Sequence, residues 1–135
     1  MQSILLVDDS GFFKEIGVQI ASRLPCRLLS ASSGTEALTV ARKERPDLIF
    51  LDADKRSLPQ YLESSLLLSH PGTIIIADNV VRDGKVIEPD NPDPDIQGVR
   101  RLIEMMASNP RLSAPAIPTV GARGYDGFAM AVVLH

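Results

Sequence analysis

Carboxylate and amide side chains follow three short apolar runs of this 135-residue sequence. The side chains that end these runs are Asp8, Asp9, Asp52, Asp78 and Asn79. A short apolar run bounded by polar residues predicts a buried parallel strand, and ligands of open α/β sheets bind at the carboxyl ends of such strands. Because hard cations prefer oxygen ligands, the pattern predicts a site for Mg²⁺ or Ca²⁺ at these strand ends. The alternative is that the same acids are solvated and only cap the loops that follow.

Asp52 and Lys55 are the candidates for catalysis at this edge, and we assign a catalytic role to neither. A carboxylate beside a bound cation can attack a small phosphodonor, which is the chemistry open to Asp52. Lys55 could act as a general base only if burial lowered its pKa. Since acids surround Lys55, we expect it to stay charged and to form an ion pair.

The predicted strands alternate with amphipathic helices along most of the chain. Helices are predicted to start at Gly34, after the S-x-x-E capping box of Ser33–Glu36, and at Pro94, after a capping Asp93. An apolar stripe at helical spacing predicts a further helix over Gly11–Leu24. Alternating strands and helices indicate an α/β fold.

Two strands come together at the end of the sequence. They are predicted over Leu112–Val120 and Phe128–Leu134, with a turn at Gly121–Gly127 between them. Prolines interrupt the first of these strands, and this places it at an edge of the sheet. The α/β pattern therefore ends in a hairpin.

Composition argues against several classes of partner. The net charge of −3 gives no electrostatic case for binding nucleic acid or an anionic membrane. No apolar run approaches the roughly 20 residues that span a bilayer. Cys26 is the only cysteine, so no internal disulfide can form and a cytoplasmic location is expected. We expect a monomer or a weak homodimer without a specific partner.

The first part of the sequence contains the texts SSGTEAL and RPDLIFLD, and two acids follow its first strand. With these features, residues 1–52 resemble a response-regulator receiver domain. The resemblance implies that Asp8 and Asp9 form a magnesium-binding pair and that Asp52 accepts a phosphoryl group. The family's hydroxyl residue after the fourth strand is replaced by Ala77, and no lysine ends the fifth strand. A phospho-accepting signalling module is therefore not the preferred interpretation.

The second part contains the texts LIFLDADK, PQYLE, IIADN, DGKV, DNPDPD and PTVGARGYDG in that order. Residues 48–135 thus look like the C-terminal part of the cation-dependent O-methyltransferases of the catechol and caffeoyl-CoA type. The resemblance implies that Asp52, Asp78 and Asn79 bind a divalent cation. It also implies that Lys55 lies near the substrate hydroxyl.

The two resemblances together predict a chimera, joined within Leu48–Asp52, of a receiver-like fragment (1–52) and a methyltransferase-like fragment (53–135). Asp8–Gly11 stands where the methyltransferases have a glycine-rich turn, so we expect no binding of S-adenosylmethionine. The leading hypothesis is a deliberately constructed protein without enzymatic activity, which keeps at most a divalent-cation site. A natural family of its own is the alternative, and a metal-dependent O-methyltransferase is the alternative function.

The fold implied by both resemblances is an α/β domain over residues 1–135, a hybrid of flavodoxin-like and Rossmann-like arrangements. It has a single three-layer, doubly wound sheet with helices on both faces. The receiver-like part gives the order 2-1-3 through right-handed crossovers. The methyltransferase-like part adds the terminal pair, so the predicted order is 2-1-3-4-6-5 with strand 6 antiparallel.

Overall fold

The computed structural model describes most of the chain. The described residues are 2–9, 11, 15, 17–19, 22–121 and 124–135, and for 117–121 and 124 only the backbone is described. The helix predicted over Gly11–Leu24 lies partly outside these residues, at positions 12–14, 16, 20 and 21. The three-layer arrangement, which depends on that helix, stays a prediction.

In the described part of the chain, seven strands form one mixed sheet. They are β1 (Gln2–Asp8), β2 (Cys26–Ala31), β3 (Leu48–Asp52), β4 (Ile74–Asp78), β5 (Leu112–Ser113), β6 (Ala116–Gly121) and β7 (Gly124–Val133). The order is β2-β1-β3-β4-β7-β5, and β6 also pairs with β7. The first four strands are parallel, and β7 is antiparallel to β4, β5 and β6.

The predicted order is confirmed when β5 and β6 are counted together as the predicted fifth strand. That strand is broken between Ser113 and Ala116, where Pro115 lies. The turn predicted over Gly121–Gly127 is wrong, because β7 already begins at Gly124. Its glycine-rich start pairs with β6, with Gly127 opposite Pro118. Pairing between strands overrides the low strand propensity of glycine there.

Three helices are described: α1 (Gly34–Glu44), α2 (Leu58–Leu68) and α3 (Pro94–Ser108). The predicted start of α1 is confirmed, and the Ser33 hydroxyl accepts the Glu36 backbone N–H at 3.2 Å. The predicted start of α3 is confirmed too, since the Asp93 carboxylate accepts the Asp95 backbone N–H at 2.9 Å. Short 3-10 turns follow β3 at Lys55–Ser57 and β4 at Lys85–Ile87.

The three helices lie side by side, and their apolar residues pack on one face of the sheet. Leu5, Ile49 and Ile75 are neighbours across β1, β3 and β4 and form the sheet side of this core. The spacing of Leu62, Leu66 and Leu67 in the sequence predicts that they form the buried face of α2. Leu62 is fully buried, but Leu67 is 82% exposed. Leu67 was predicted to face the core, and α2 instead turns Leu58, Leu62 and Ser65 inward.

No helix among the described residues is long and apolar enough to cross a membrane.

Asp47 joins three strands at the amino ends of the sheet, opposite the predicted site. Its carboxylate accepts the Ser3 backbone N–H at 2.8 Å and the Ser3 hydroxyl at 3.2 Å. His70 Nε2 lies 3.3 Å from the other carboxylate oxygen. The Asp47 backbone bonds to Ser3 and Ile74. The Ser3 N–H is the main reason why the pKa of Asp47 is lowered.

We expect Asp47→Asn to lower the free energy of unfolding by about 1 kcal/mol at pH 7, since hydrogen bonds to a half-exposed carboxylate are lost or weakened. A lowered folded-state pKa stabilises the protein above the ordinary carboxyl pKa of about 4, and this contribution is lost as the pH falls through the folded-state value. The difference between parent and variant should therefore shrink towards pH 3. Urea unfolding at several pH values measures it, with the exposed Asp90→Asn as control. If the difference in free energy of unfolding between parent and variant stays constant with pH, the stabilising role of the ionised Asp47 carboxylate is contradicted.

Candidate functional site

The structure brings three of the predicted acids to the carboxyl ends of neighbouring strands. Asp8 and Asp52 are in register between β1 and β3. Asp78 ends β4, one residue beyond the pair formed by Leu51 and Ala77. Adjacent strands lie about 4.8 Å apart, so these carboxyl groups line one crevice.

Asp9 follows β1 and Asn79 follows β4, and the two residues differ in exposure and in backbone conformation. Asp9 is exposed, and its charge acts on Tyr61. Asn79 adopts the left-handed conformation, with φ +59°, and its backbone N–H donates to Asp78 Oδ1 at 2.8 Å. Asn79 thus begins the loop after β4 in a conformation that non-glycine residues seldom adopt.

Lys55 places a positive charge inside the crevice. Its side chain is buried, and Nζ donates to the Asp78 carbonyl oxygen at 2.7 Å and lies 3.6 Å from Asp52 Oδ1. Burial lowers the pKa of Lys55, while the charges of Asp52 and Asp78 oppose that shift. Burial raises the pKa of Asp52, as do the charges of Asp78 and Asp8, although Lys55 opposes this. The structure therefore contains the ion pair that was expected for Lys55.

Gly98 of α3 allows Lys55 to reach this position. A Cβ atom at Gly98 would lie 2.3 Å from the Lys55 carbonyl oxygen and 2.6 Å from Arg56 Cα. Both neighbours are backbone atoms of the Lys55–Ser57 turn, so α3 can pack against this turn only with glycine at position 98. The helix and the turn are also linked by Arg56 Nε, 3.2 Å from Asp95 Oδ1.

The donors at the crevice fit a hard cation in chemistry, because Asp52, Asp78 and Asn79 all offer oxygen atoms. Among the residues that the structure describes, no group of three or more Asp, Glu, His or Cys side chains is arranged to hold a metal ion. The Lys55 ammonium lies among the same acids. The cation site predicted at Asp8, Asp9, Asp52, Asp78 and Asn79 therefore stays a prediction.

Asp126 is a part of this region that was not predicted from the sequence. Its Oδ1 accepts the backbone N–H groups of Val81, Arg82 and Gly127 at 3.1, 3.0 and 2.9 Å. Asn79 Nδ2 lies 3.4 Å from its Oδ2. Burial would raise the pKa of Asp126, but these donors outweigh burial and lower it. An acid inside the glycine-rich YDG text was the available signal, and that text was interpreted as a turn.

Tyr61 of α2 contacts the segment that follows β3. Its hydroxyl donates to Asp54 Oδ1 at 2.9 Å. Burial, and then the hydrogen bond and charge of Asp54, raise the pKa of Tyr61 to about 12. Tyr61 therefore stays a neutral hydrogen-bond donor, and it holds the segment between β3 and the Lys55 turn against α2.

Comparison with known proteins first defines the class. The chain superposes on an O-methyltransferase of Bacillus cereus, solved with S-adenosylhomocysteine, with TM-score 0.79 and 36% identity over 98% of this chain and 74% of that one. An O-methyltransferase of Streptomyces achromogenes, solved with S-adenosylmethionine, gives TM-score 0.80 and 34% identity over 99% and 74%. The fold is therefore that of an O-methyltransferase.

Sequence comparison gives the family. The family model described as O-methyltransferase matches residues 12–131, and the chain belongs to this family. A catechol O-methyltransferase of Niastella koreensis is 46% identical over 64% of this chain, and one of Mycobacterium tuberculosis is 42% identical over the same share. The match covers 39% of each of these enzymes, so the chain spans about two-fifths of the length of these curated relatives.

These findings correct several predictions. The O-methyltransferase match begins at residue 12 and runs through the predicted junction at Leu48–Asp52. The predictions of a receiver-like half, of a flavodoxin-like hybrid and of a constructed chimera without enzymatic activity are therefore wrong. The prediction that S-adenosylmethionine does not bind is also contradicted, because relatives were solved with it and with its product. Acids at the ends of parallel strands serve ligand binding in many α/β families, so they did not separate the two resemblances.

Proposed function

We propose that the chain is an O-methyltransferase, or a part of one, that transfers a methyl group from S-adenosylmethionine to a hydroxyl oxygen of a catechol-type substrate with the help of a divalent cation. The observation that carries this proposal is the arrangement of Asp52, Asp78 and Asn79 at adjacent strand ends with a buried Lys55 beside them. The names of the Niastella and Mycobacterium relatives support the substrate class. The ligands of the Bacillus and Streptomyces structures support the cofactor.

In the proposed reaction the S–CH₃ bond of the sulfonium breaks, an O–CH₃ bond forms, S-adenosylhomocysteine leaves and the hydroxyl proton passes to water. Asp52, Asp78 and Asn79 would hold a divalent cation, which when bound would supply Lewis-acid polarisation of the substrate hydroxyl. Lys55 Nζ, fixed between Asp52 and the Asp78 carbonyl, donates a hydrogen bond to the substrate oxygen as negative charge develops there. Because Lys55 is buried, this interaction is screened less than it would be in water.

The first test measures binding of S-adenosylhomocysteine by calorimetry and methylation of catechol with labelled S-adenosylmethionine and Mg²⁺. We expect binding, and methyl transfer that stops when EDTA removes the cation. Asp52→Asn and Asp78→Asn should each reduce transfer by more than about tenfold, because even the outer partners of metal ligands contribute that much. The exposed Asp90→Asn serves as control. Absence of both binding and transfer in the parent chain would refute the proposal.

Assembly and location stay proposals as well. A monomer or weak homodimer is proposed, without a nucleic-acid or membrane partner, on the basis of the net charge of −3. The single Cys26 supports a reducing compartment such as the cytoplasm.

A further inference from the structure

We propose that Asp126 is a positioning residue that sets the rotation of the Asn79 side-chain amide. This inference rests on the proposed function only in taking Asn79 as a ligand of the cation. Asp126 lies in β7, and the residues that it bonds lie in the loop after β4, 44 to 47 positions away in the chain. Its role therefore depends on the antiparallel pairing of β4 with β7.

The loop that Asp126 holds is conformationally unusual. Asn79, Arg82 and Asp83 all have positive φ, at 59°, 56° and 55°. Residues other than glycine seldom adopt this left-handed conformation, so such a cluster persists only where surrounding contacts hold it. Val80 N–H donates to the Gly127 carbonyl at 3.0 Å, and Asp83 N–H donates to the Tyr125 carbonyl at 2.9 Å. Asp126 supplies the remaining acceptors between these two bonds.

The side-chain contact decides which end of the Asn79 amide faces Asp126. An ionised carboxylate only accepts hydrogen bonds, and an amide presents a donor at Nδ2 and an acceptor at Oδ1. Asp126 Oδ1 accepts the backbone N–H groups of Val81, Arg82 and Gly127. Asp126 Oδ2 therefore accepts from Nδ2 of Asn79, and a flipped amide would set two oxygens against each other. Oδ1 of Asn79 is thereby turned away from Asp126, and a hard cation binds amide oxygen, not nitrogen.

Two variants separate amide rotation from loop support. Asp126→Asn keeps one oxygen that can accept the backbone N–H groups of Val81 and Arg82, but it places an NH₂ group opposite Asn79 Nδ2. The double variant Asp126→Asn with Asn79→Asp restores a donor and an acceptor across this contact, with the two groups exchanged. Asp83→Asn is the matched control, because it removes one negative charge from an exposed position in the same loop.

The experiment measures Mn²⁺ affinity of the full chain by calorimetry, together with Tm. We expect Asp126→Asn to weaken Mn²⁺ binding about tenfold with a Tm loss of only a few degrees. The double variant should recover most of the affinity, and Asp83→Asn should leave it unchanged. If Asp126→Asn lowers Tm but leaves Mn²⁺ affinity as in the parent, Asp126 only supports the loop and the proposal is overturned.

A second readout keeps this test separate from the proposed function. If the parent chain binds no Mn²⁺, the cation part of the proposed function fails. The amide rotation is then measured by the two Nδ2 proton resonances of Asn79 in a ¹⁵N NMR spectrum. We expect one of them to be shifted by its hydrogen bond and protected from exchange in the parent, and to lose both effects in Asp126→Asn. Identical Asn79 resonances in parent and variant would overturn the positioning role.

Discussion

Replacing Gly98 by alanine should destabilise the protein by about 2 kcal/mol or more and displace Lys55 from the crevice. The added Cβ would lie 2.3 Å from the Lys55 carbonyl oxygen, and this neighbour is backbone that cannot rotate away. Overpacking a close contact costs about 1–3 kcal/mol. The opposing gain in helix propensity is only about 1 kcal/mol. Because the close neighbours of the added Cβ are backbone atoms, we expect an overpacking cost of about 3 kcal/mol or more, and hence a net loss of about 2 kcal/mol or more.

Gly34→Ala is the matched control for this substitution. Its Cβ would lie 2.7 Å from Tyr61 Cε1, a side-chain atom whose ring can shift. Urea unfolding of both variants, with methyl transfer measured on the folded fraction, separates the two sites. We expect Gly98→Ala to lose more stability and more activity than Gly34→Ala. Equal losses at the two sites would show that the close contact between α3 and the Lys55 turn relaxes freely.

Lys55→Met should cost about 3 kcal/mol of folding free energy in the absence of divalent cations. Removing one partner of a buried ion pair leaves the other charge uncompensated, and this is more costly than losing an exposed pair. The side chains of Lys55 and Asp52 are only 8% and 11% exposed. Because Asp52 and Asp78 would then face each other without the ammonium, added Mg²⁺ should stabilise the variant more than the parent.

Lys43→Met provides the comparison. The Lys43 side chain is 82% exposed, and its Nζ lies 3.9 Å from Glu44 Oε1. An exposed pair of this kind contributes at most about 1 kcal/mol. Unfolding in urea with EDTA, and again with millimolar Mg²⁺, measures both variants. If Lys55→Met is no less stable than Lys43→Met in EDTA, the buried pair contributes nothing beyond a surface contact.

Local sequence patterns predicted the strands and helices well where residues close in the chain determine them. The apolar run before Asp52 predicted a central strand, and the caps at Ser33 and Asp93 predicted the starts of α1 and α3. The extent of β7 was missed because its pairing with β6 overrides glycine propensity. Leu67 was placed inward by spacing alone, although the orientation of α2 against the sheet decides which of its leucines are buried.

The site was predictable in its residue types but not in its contacts. Asp8, Asp52 and Asp78 come together because parallel strands end at one edge, which follows from topology. The position of Lys55 depends on the missing side chain of Gly98, and the orientation of Asn79 depends on Asp126. Both are long-range partners that no local pattern joins to the site. The family was misjudged for a related reason, since features shared by parallel α/β sheets carry little information about which family is present.

The position of β7 has a consequence for synthesis on the ribosome. β7 is the last described strand in chain order, yet it lies inside the sheet, between β4 and β5. Until it is made, one edge of β4 has unpaired backbone N–H and C=O groups, and such an edge can pair with another nascent chain. The loop that begins at Asn79 also lacks its hydrogen bonds to Asp126 until β7 is made. The candidate site therefore cannot assemble before nearly all of this sequence has been translated.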